Sequence, residues 1–198
     1  REAALIGKSV LSRLRGQTLV FLCPLADSPS AQVLKRLGEE LSRELGARLR
    51  AQVTLGLGRA YPGLAGIKTA YQEAERALAM GQRLFGPGSI TYFGELGVYR
   101  LLFALHASGE LESFYQENLG LLAAYDSKHG GQLIPTLEAV LCYPHLSLAA
   151  QALHVHRNTL LYRLRRIHEV SGLNLEDGET RLCLSLALKA GQTLRALG

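Results

Sequence analysis

The chain has 198 residues, of which 47% are hydrophobic, and its formal net charge is +5. This length and composition support a buried core and argue against general disorder. The sequence lacks an apolar run of about 18 residues, which argues against a membrane-spanning helix. Its three cysteines, at positions 23, 142 and 183, lie far apart. We therefore expect neither a disulfide framework nor a metal site.

The N-terminal stretch REAALIGKSV begins with Arg1 and lacks the order of charged, apolar and small residues that a signal peptide has. We therefore expect a cytoplasmic protein without a membrane partner, of which this chain is a fragment.

The first half of the chain predicts alternating helices and strands. Residues 2–15 are expected to form a helix that ends at Gly16, and TLVFLCPL (18–25) a strand. Ser30 is suited to cap a helix whose leucines repeat at helical spacing as far as Gly46. The elements expected next are a strand in AQVTLGLGRAYPG (51–63), a helix over 66–84 and a strand in SITYF (89–93). This order is typical of an α/β or α+β domain.

The second half carries helical periodicity from Val98 onward without a convincing strand, which predicts an all-α unit. The boundary is expected between residues 95 and 130. We place it so that residues 1–110 form the first domain and residues 111–198 the second.

Residues 149–167, AAQALHVHRNTLLYRLRRI, predict a helix, a tight turn and a second helix. Ser147 is expected to cap the first helix, while Asn158 and Thr159 are expected to cap the second. His154 lies where a helix-turn-helix motif commonly has glycine, and histidine is among the residues that better tolerate a positive φ.

The second helix of this motif is expected to have an apolar face and a basic face. At about 100° per residue, the apolar face comprises Leu160, Leu161, Leu164, Ile167 and His168. The opposite face comprises Asn158, Thr159, Tyr162 and Arg166, with Arg163 at its edge. Four arginines accompany a single glutamate here, which indicates an anionic partner. Such a helix fits the DNA major groove, where arginine can donate two hydrogen bonds to guanine or to phosphate.

Plainer explanations exist for several of these residues. A basic helical face is often simply solvated, and Thr159 and Tyr162 also suit structural roles. The histidines at 154 and 156 fit turn chemistry better than a metal site.

LHVHRNTLLYRLRRIHEVSGLNLEDGETRLCLSLAL (153–188) resembles the C-terminal helix-turn-helix of the PucR/CdaR family, bacterial regulators of purine and sugar-diacid metabolism. AYDSKHGGQLIPTLEAVL (124–141) is similar to the helical segment that precedes this motif in the family. CYPHLS (142–147) departs from the longer polar stretch expected before the first motif helix. The resemblance implies that seven residues contact DNA: His156, Arg157, Asn158, Thr159, Tyr162, Arg163 and Arg166.

VTLGLGRAY (53–61) and YQEAERALAMGQRLFGPGSITYF (71–93) resemble the second half of a GGDEF-type fold. A working cyclase of that type needs adjacent acidic residues in a Gly-rich hairpin, where they hold divalent metal ions. RGQTLVFL (15–22) corresponds to that hairpin, with neutral Gln17 and Thr18 in place of the carboxylates. We therefore expect a degenerate domain with neither enzymatic activity nor a cofactor.

The expected protein is a bacterial transcription regulator with a GGDEF-like domain followed by an all-α helix-turn-helix domain. Its expected partner is double-stranded DNA, which the full-length protein binds as a homodimer, with a small-molecule effector bound outside this chain. The alternatives are a protein-interaction module whose basic helix does not meet DNA and a nucleotide-processing enzyme.

Overall fold

A computed structural model describes residues 10–25 and 30–198. The chain divides into two compact units between Gly97 and Val98. This division lies nearer the N-terminus than position 110, because the helix Tyr99–Leu105 packs in the second unit, where Leu102 contacts Leu111 and Ala190. Within the described residues, every helix is too short or too polar to cross a membrane.

The first unit begins with an antiparallel hairpin of β1 (Leu11–Arg15) and β2 (Thr18–Leu22). Gly16, with φ 60°, takes the first position of the two-residue loop, where hairpin turns favour glycine. The helix predicted over residues 2–15 is therefore wrong from residue 10 onward, and residues 2–9 lie outside the described residues. The leucines of LSRLR fit a helical period, but pairing with residues 18–22 decides the outcome.

The helix α1 (Ala31–Leu49) begins as predicted, because the Ser30 hydroxyl accepts a hydrogen bond from the Val33 backbone N–H at 3.4 Å. It continues past Gly46, where the sequence predicted its end, and stops at Arg50, whose φ is 52°. A glycine permits a helix end without requiring one.

The strands β3 (Leu55–Leu57) and β4 (Ile90–Tyr92) pair in parallel, and α2 (Ile67–Phe85) connects them. Leu55 is in register with Ile90. A Cβ atom at Gly56 or Gly58 would overlap the backbone of α2, so these glycines allow close packing of the helix on the strand. The predicted strand–helix–strand order over residues 51–93 is thus confirmed, with shorter strands than expected. Two 3₁₀ turns, Leu64–Gly66 and Phe93–Glu95, flank these elements.

The carboxylate of Glu73, a residue of α2, is buried near the end of β3. The side chain of Glu73 is only 6% exposed and accepts hydrogen bonds from the backbone N–H and the guanidinium of Arg59. The Tyr61 hydroxyl donates to the same carboxylate at 2.7 Å. These bonds join the segment after β3 to α2.

The described part of the second unit contains no β-strand, which confirms the predicted all-α class. Its α-helices are α3 (Tyr99–Leu105), α4 (Glu110–His129), α5 (Leu133–Cys142), α6 (Leu146–Ala152), α7 (Arg157–Ser171) and α8 (Gly178–Leu197). One core joins α4, α5, α7 and α8 through Leu119, Leu122, Leu137, Ile167 and Leu184. A smaller core joins α5, α6 and α7 through Ala139, Val140, Ala149, Ala150 and Leu160. Leu164 of α7 packs against both cores.

The turn between α4 and α5 is held by Asp126. Its carboxylate accepts backbone hydrogen bonds from Gln132, Leu133 and Ile134 at 2.8–3.1 Å, which satisfies free N–H groups at the start of α5. This cap fixes the start of the helix on which α6 and α7 pack.

Candidate nucleic-acid interface

The turn between α6 and α7 is tight because one residue adopts a left-handed conformation. His154 has φ 53°, and its backbone N–H donates to the Gln151 carbonyl, while the Val155 N–H donates to the Ala150 carbonyl. The Val155 side chain then packs in the smaller core. The predicted role of His154 as the turn residue is confirmed.

The first helix of the motif begins two residues earlier than expected. Its N-cap is His145, whose side chain makes no capping hydrogen bond, and Ser147 lies in the first turn. The prediction that Ser147 caps α6 is therefore wrong. The preceding Tyr143 is extended, with φ −98° and ψ 141°, and this conformation lets α6 start at Leu146.

The second helix is capped by histidine. The Nδ1 atom of His156 accepts a hydrogen bond from the Asn158 backbone N–H at 3.2 Å. Asn158 and Thr159 lie in the first turn of α7, so their prediction as caps is wrong and their side chains remain exposed. An accepting Nδ1 places the ring proton of His156 on Nε2, which is the tautomer that can donate outward.

The buried face of α7 orients the remaining residues. Leu160 and Ile167 are fully buried, as predicted for the apolar face. His168, predicted on the same face, is exposed, and its Nδ1 lies 3.0 Å from the Leu173 carbonyl oxygen. His168 is close to the end of α7, where Gly172 with φ 69° turns the chain away.

Two polar stripes run along the other side of α7, since residues three and four apart share a side of a helix. The outer stripe comprises Asn158, Tyr162 and Arg165, and all three are exposed. The inner stripe comprises Thr159, Arg163 and Arg166, of which the two arginines are half-buried. Arg165 was not among the predicted contacts. The helical spacing 158–162–165 places it on the outer stripe.

The arginines of α7 differ in their partners. Among the residues that the structure describes, the side chains of Arg157, Arg163 and Arg165 form neither a hydrogen bond nor an ion pair. Arg166 instead donates to the Glu169 carboxylate at 2.8 Å and to the Tyr125 hydroxyl at 3.1 Å. These two hydrogen bonds raise the pKa of Arg166. Three cations of the motif are thus available to an anionic partner.

A depression of about 570 Å³ lies beside the start of α7. It is lined by the segment Pro144–Ser147 and by Arg157. The start of α6, the two residues before it and the first residue of α7 therefore share one surface.

The hairpin Leu11–Leu22 places Gln17 in its loop and Thr18 at the start of β2. A neutral amide and a hydroxyl do not supply the charge that a pair of divalent ions needs. No cluster of three or more His, Cys, Asp or Glu side chains suited to a metal ion occurs among residues 10–25 and 30–198. The residues present do not fit the metal site of a working cyclase.

Comparison with known families gives two matches along the chain. Residues 133–190 match the PucR C-terminal helix-turn-helix domain, and residues 1–80 match the GGDEF-like domain. These matches confirm the resemblance to both domains, over all of residues 153–188 for the first and as far as residue 80 for the second.

Three curated relatives are similar over most of the chain. The purine catabolism regulatory protein of Bacillus subtilis is 31% identical over 180 residues, which are 89% of this chain and 33% of the relative. The DNA-binding transcriptional activator AdeR of Bacillus subtilis is 27% identical over 87% of this chain and 42% of its own length. The carbohydrate diacid regulator of Escherichia coli is 32% identical over 72% of this chain and 36% of its own length. The chain thus spans 33–42% of these relatives, and no solved structure matches it significantly.

Proposed function

The chain belongs to the PucR/CdaR family of bacterial transcriptional regulators, and from this premise we propose that it binds double-stranded DNA through α7. In this proposal the first two turns of α7 enter the major groove, and the protein controls transcription by occupying its site.

One observation carries the proposal. The tight turn at His154 and the buried Leu160 and Ile167 fix α7 on α5 and α6, while its first turn and outer stripe stay open. Arg157 and Arg165 on this open side lack protein partners among the described residues. A solvated basic face is the plainer alternative. It does not explain why the open side coincides with the start of the second helix, where such motifs reach base edges.

We assign roles from exposure and position. Arg157, at the helix start, and Arg165, on the outer stripe, would contact phosphates. Asn158, Thr159, Tyr162 and Arg163 would reach base edges, and His156 would donate from Nε2. Arg166, the last of the contacts expected from the sequence, is held by Tyr125 and Glu169 instead.

Replacing Arg163 by alanine is expected to weaken binding to a preferred duplex by about 1–3 kcal/mol, since a bidentate contact from arginine to a base contributes that much discrimination. The preferred duplex is one that the protein selects from random DNA. Binding of the two proteins is measured by fluorescence anisotropy at one salt concentration.

The matched control is Arg195→Ala, which removes an exposed arginine from the last turn of α8 and should leave the affinity unchanged. Normal affinity in a folded Arg163→Ala protein would remove Arg163 from the interface, whereas equal losses in both variants would indicate a general charge effect.

We further propose that the full-length protein reads DNA as a homodimer. One recognition helix contacts too few base pairs to mark a site among the roughly 10⁶ or more competitors in a genome. Two-fold pairing would place two copies of α7 in successive major grooves, with half-sites about 10 base pairs or a multiple of that apart.

Inserting five base pairs between the half-sites is expected to reduce the affinity of the full-length protein by about tenfold or more, because simultaneous engagement of both sites is lost. Ten inserted base pairs are the control and should cost less. One protein per site together with indifference to the five-pair insertion would contradict the dimer.

We also propose that the GGDEF-like domain is catalytically silent. The protein should form no cyclic dinucleotide from GTP with magnesium or manganese, because Gln17 and Thr18 are neutral. Product above a no-protein blank that disappears on denaturation would contradict this proposal, whereas nucleotide binding without turnover would be compatible with it. In the same proposal the protein is cytoplasmic, and its small-molecule effector binds outside residues 1–198.

A further inference from the structure

Arg166 connects the recognition helix to a different helix of the second unit. Its guanidinium carbon lies 5.2 Å from the centre of the Tyr125 ring on α4, and its Nε donates to the Tyr125 hydroxyl at 3.1 Å. Its Nη1 donates to the Glu169 carboxylate, one turn further along α7, at 2.8 Å. The side chain of Arg166 is 41% exposed, so this arrangement is partly shielded from water.

Tyr125 is itself held in place. Its ring stacks on that of His129, with the centroids 4.1 Å apart and an angle of 13° between the planes. The Nδ1 atom of His129 lies 2.9 Å from the Tyr125 carbonyl oxygen. Tyr125 also packs against the core that contains Ile167 of α7. The tyrosine therefore presents a fixed ring and a fixed hydroxyl to Arg166.

We infer that Tyr125 and Arg166 are positioning residues for DNA recognition, and that Arg166 sets the rotation of α7 without contacting DNA. This inference rests on the proposed function. Arg166 shares its stripe with Thr159 and Arg163, so a contact that fixes its direction also fixes theirs.

Two features argue against a direct phosphate contact by Arg166. Reaching a phosphate would require the guanidinium to leave the Tyr125 hydroxyl and the Glu169 carboxylate, and it would lose a cation–π contact as well. The carboxylate of Glu169 would then face the phosphate without a cation, and like charges repel. Neither argument applies to Arg157 or Arg165, because their side chains have no such partners among the described residues.

The expected effect on DNA binding follows from the geometric precision that contacts to bases require. A recognition surface must be held within about 0.5 Å and 10–20° of its productive geometry. Loss of the Tyr125–Arg166 contact removes one of the restraints on the rotation of α7 about its axis. Leu160 and Ile167 keep the helix packed, so the variants should stay folded while their contacts to bases become less favourable.

The test is a double-mutant cycle on the whole chain, with a duplex selected by the wild-type protein from random DNA. Tyr125→Ala and Arg166→Ala are each expected to weaken binding by about 3- to 30-fold, within the range of couplings between residues in contact. The DNA affinity of the double variant should be about equal to that of the single variant that binds less tightly. Tyr125→Phe keeps the ring and removes only the hydroxyl, so its loss should be smaller than that of Tyr125→Ala.

The salt dependence separates positioning from contact. Removing an arginine that binds a phosphate lowers the slope of log K against log salt by about one. The slopes of Tyr125→Ala and Arg166→Ala should equal that of the wild type. Lys189→Ala is the matched control, because Lys189 lies 4.7 Å over the Tyr99 ring in a similar contact between α3 and α8. This variant should keep wild-type affinity.

Three results would overturn the inference. In the first, Arg166→Ala lowers the slope by about one while Tyr125→Ala binds normally, so that Arg166 contacts phosphate. In the second, the two substitutions have additive effects. In the third, neither substitution changes the affinity. Failure of the wild-type protein to select or bind DNA is a different outcome, which would remove the proposed function and this inference with it.

Discussion

Replacing Arg59 by alanine is expected to lower the free energy of unfolding by about 2–3 kcal/mol, because the shielded carboxylate of Glu73 loses its cation and keeps only the Tyr61 hydroxyl and the backbone N–H of residue 59 as donors. The Glu73 side chain is 6% exposed, whereas that of Arg59 is 47% exposed. The converse change, which removes the charge of Glu73, is therefore expected to lower the stability less. In Glu73→Gln the remaining guanidinium can turn toward water, and we expect a loss of about 1–2 kcal/mol. Urea unfolding of both variants, with hydrogen exchange in residues 55–93, measures the difference and locates it.

The pH dependence of the stability gives an independent check of the buried-charge explanation. Burial alone would raise the pKa of Glu73, but hydrogen bonds from Arg59 and Tyr61 hold it below its ordinary value of 4.5. A lowered folded pKa contributes stability that is present above pH 4.5 and is lost as the pH falls through the folded pKa. The difference between the wild type and Arg59→Ala should therefore shrink in acid. A constant difference, or a larger loss in Glu73→Gln than in Arg59→Ala, would contradict the buried-charge explanation.

Replacing Leu160 by alanine is expected to cost about 2–5 kcal/mol of stability in the second unit. Leu160 of α7 is fully buried against α5 and α6, in the core that it shares with Ala139, Val140, Ala149 and Ala150. Truncation to alanine removes buried apolar atoms and leaves a cavity, and both effects lower the stability. Thermal and urea unfolding, with hydrogen exchange in residues 133–170, measure the loss.

Tyr162→Ala is the matched control on the same helix, since Tyr162 is 63% exposed on the outer stripe. It should leave the stability within about 0.5 kcal/mol of the wild type, as is usual for surface changes. If Tyr162→Ala destabilised the protein more than Leu160→Ala, the orientation of α7 described above would be wrong.

The helix α7 could be predicted from the sequence because several signals agree there. Leucines at helical spacing, a polar turn and a basic opposite face all indicate the same helix and the same orientation for Leu160 and Ile167. The N-caps of α6 and α7 were predicted less accurately than the orientation of α7. Serine and asparagine are preferred at N-caps, yet His156 caps α7 and His145 precedes α6. The turn at His154 sets the position of His156, and composition alone does not reveal it.

The hairpin at Gly16 shows a second limit of local periodicity. Residues 11–15 contain leucines three apart, which suit a helix, and their strand conformation depends on pairing with residues 18–22. The resemblance to a GGDEF-type hairpin indicated the correct structure, whereas spacing did not. On α7, the contact of Arg166 with Tyr125 was not predictable, because Tyr125 is 41 residues away in the sequence.

The most direct test of the proposed function is a titration of the wild-type protein with its selected duplex and with a mixed-sequence duplex at several salt concentrations. We expect log K to fall linearly with log salt, and the selected duplex to bind at least about 10³-fold more tightly than the mixed-sequence duplex. We also expect Arg157→Ala/Arg165→Ala to lower the slope by about two, one for each lost phosphate contact. Equal affinity for both duplexes, with a slope and an affinity that this double substitution leaves unchanged, would show that α7 does not bind DNA.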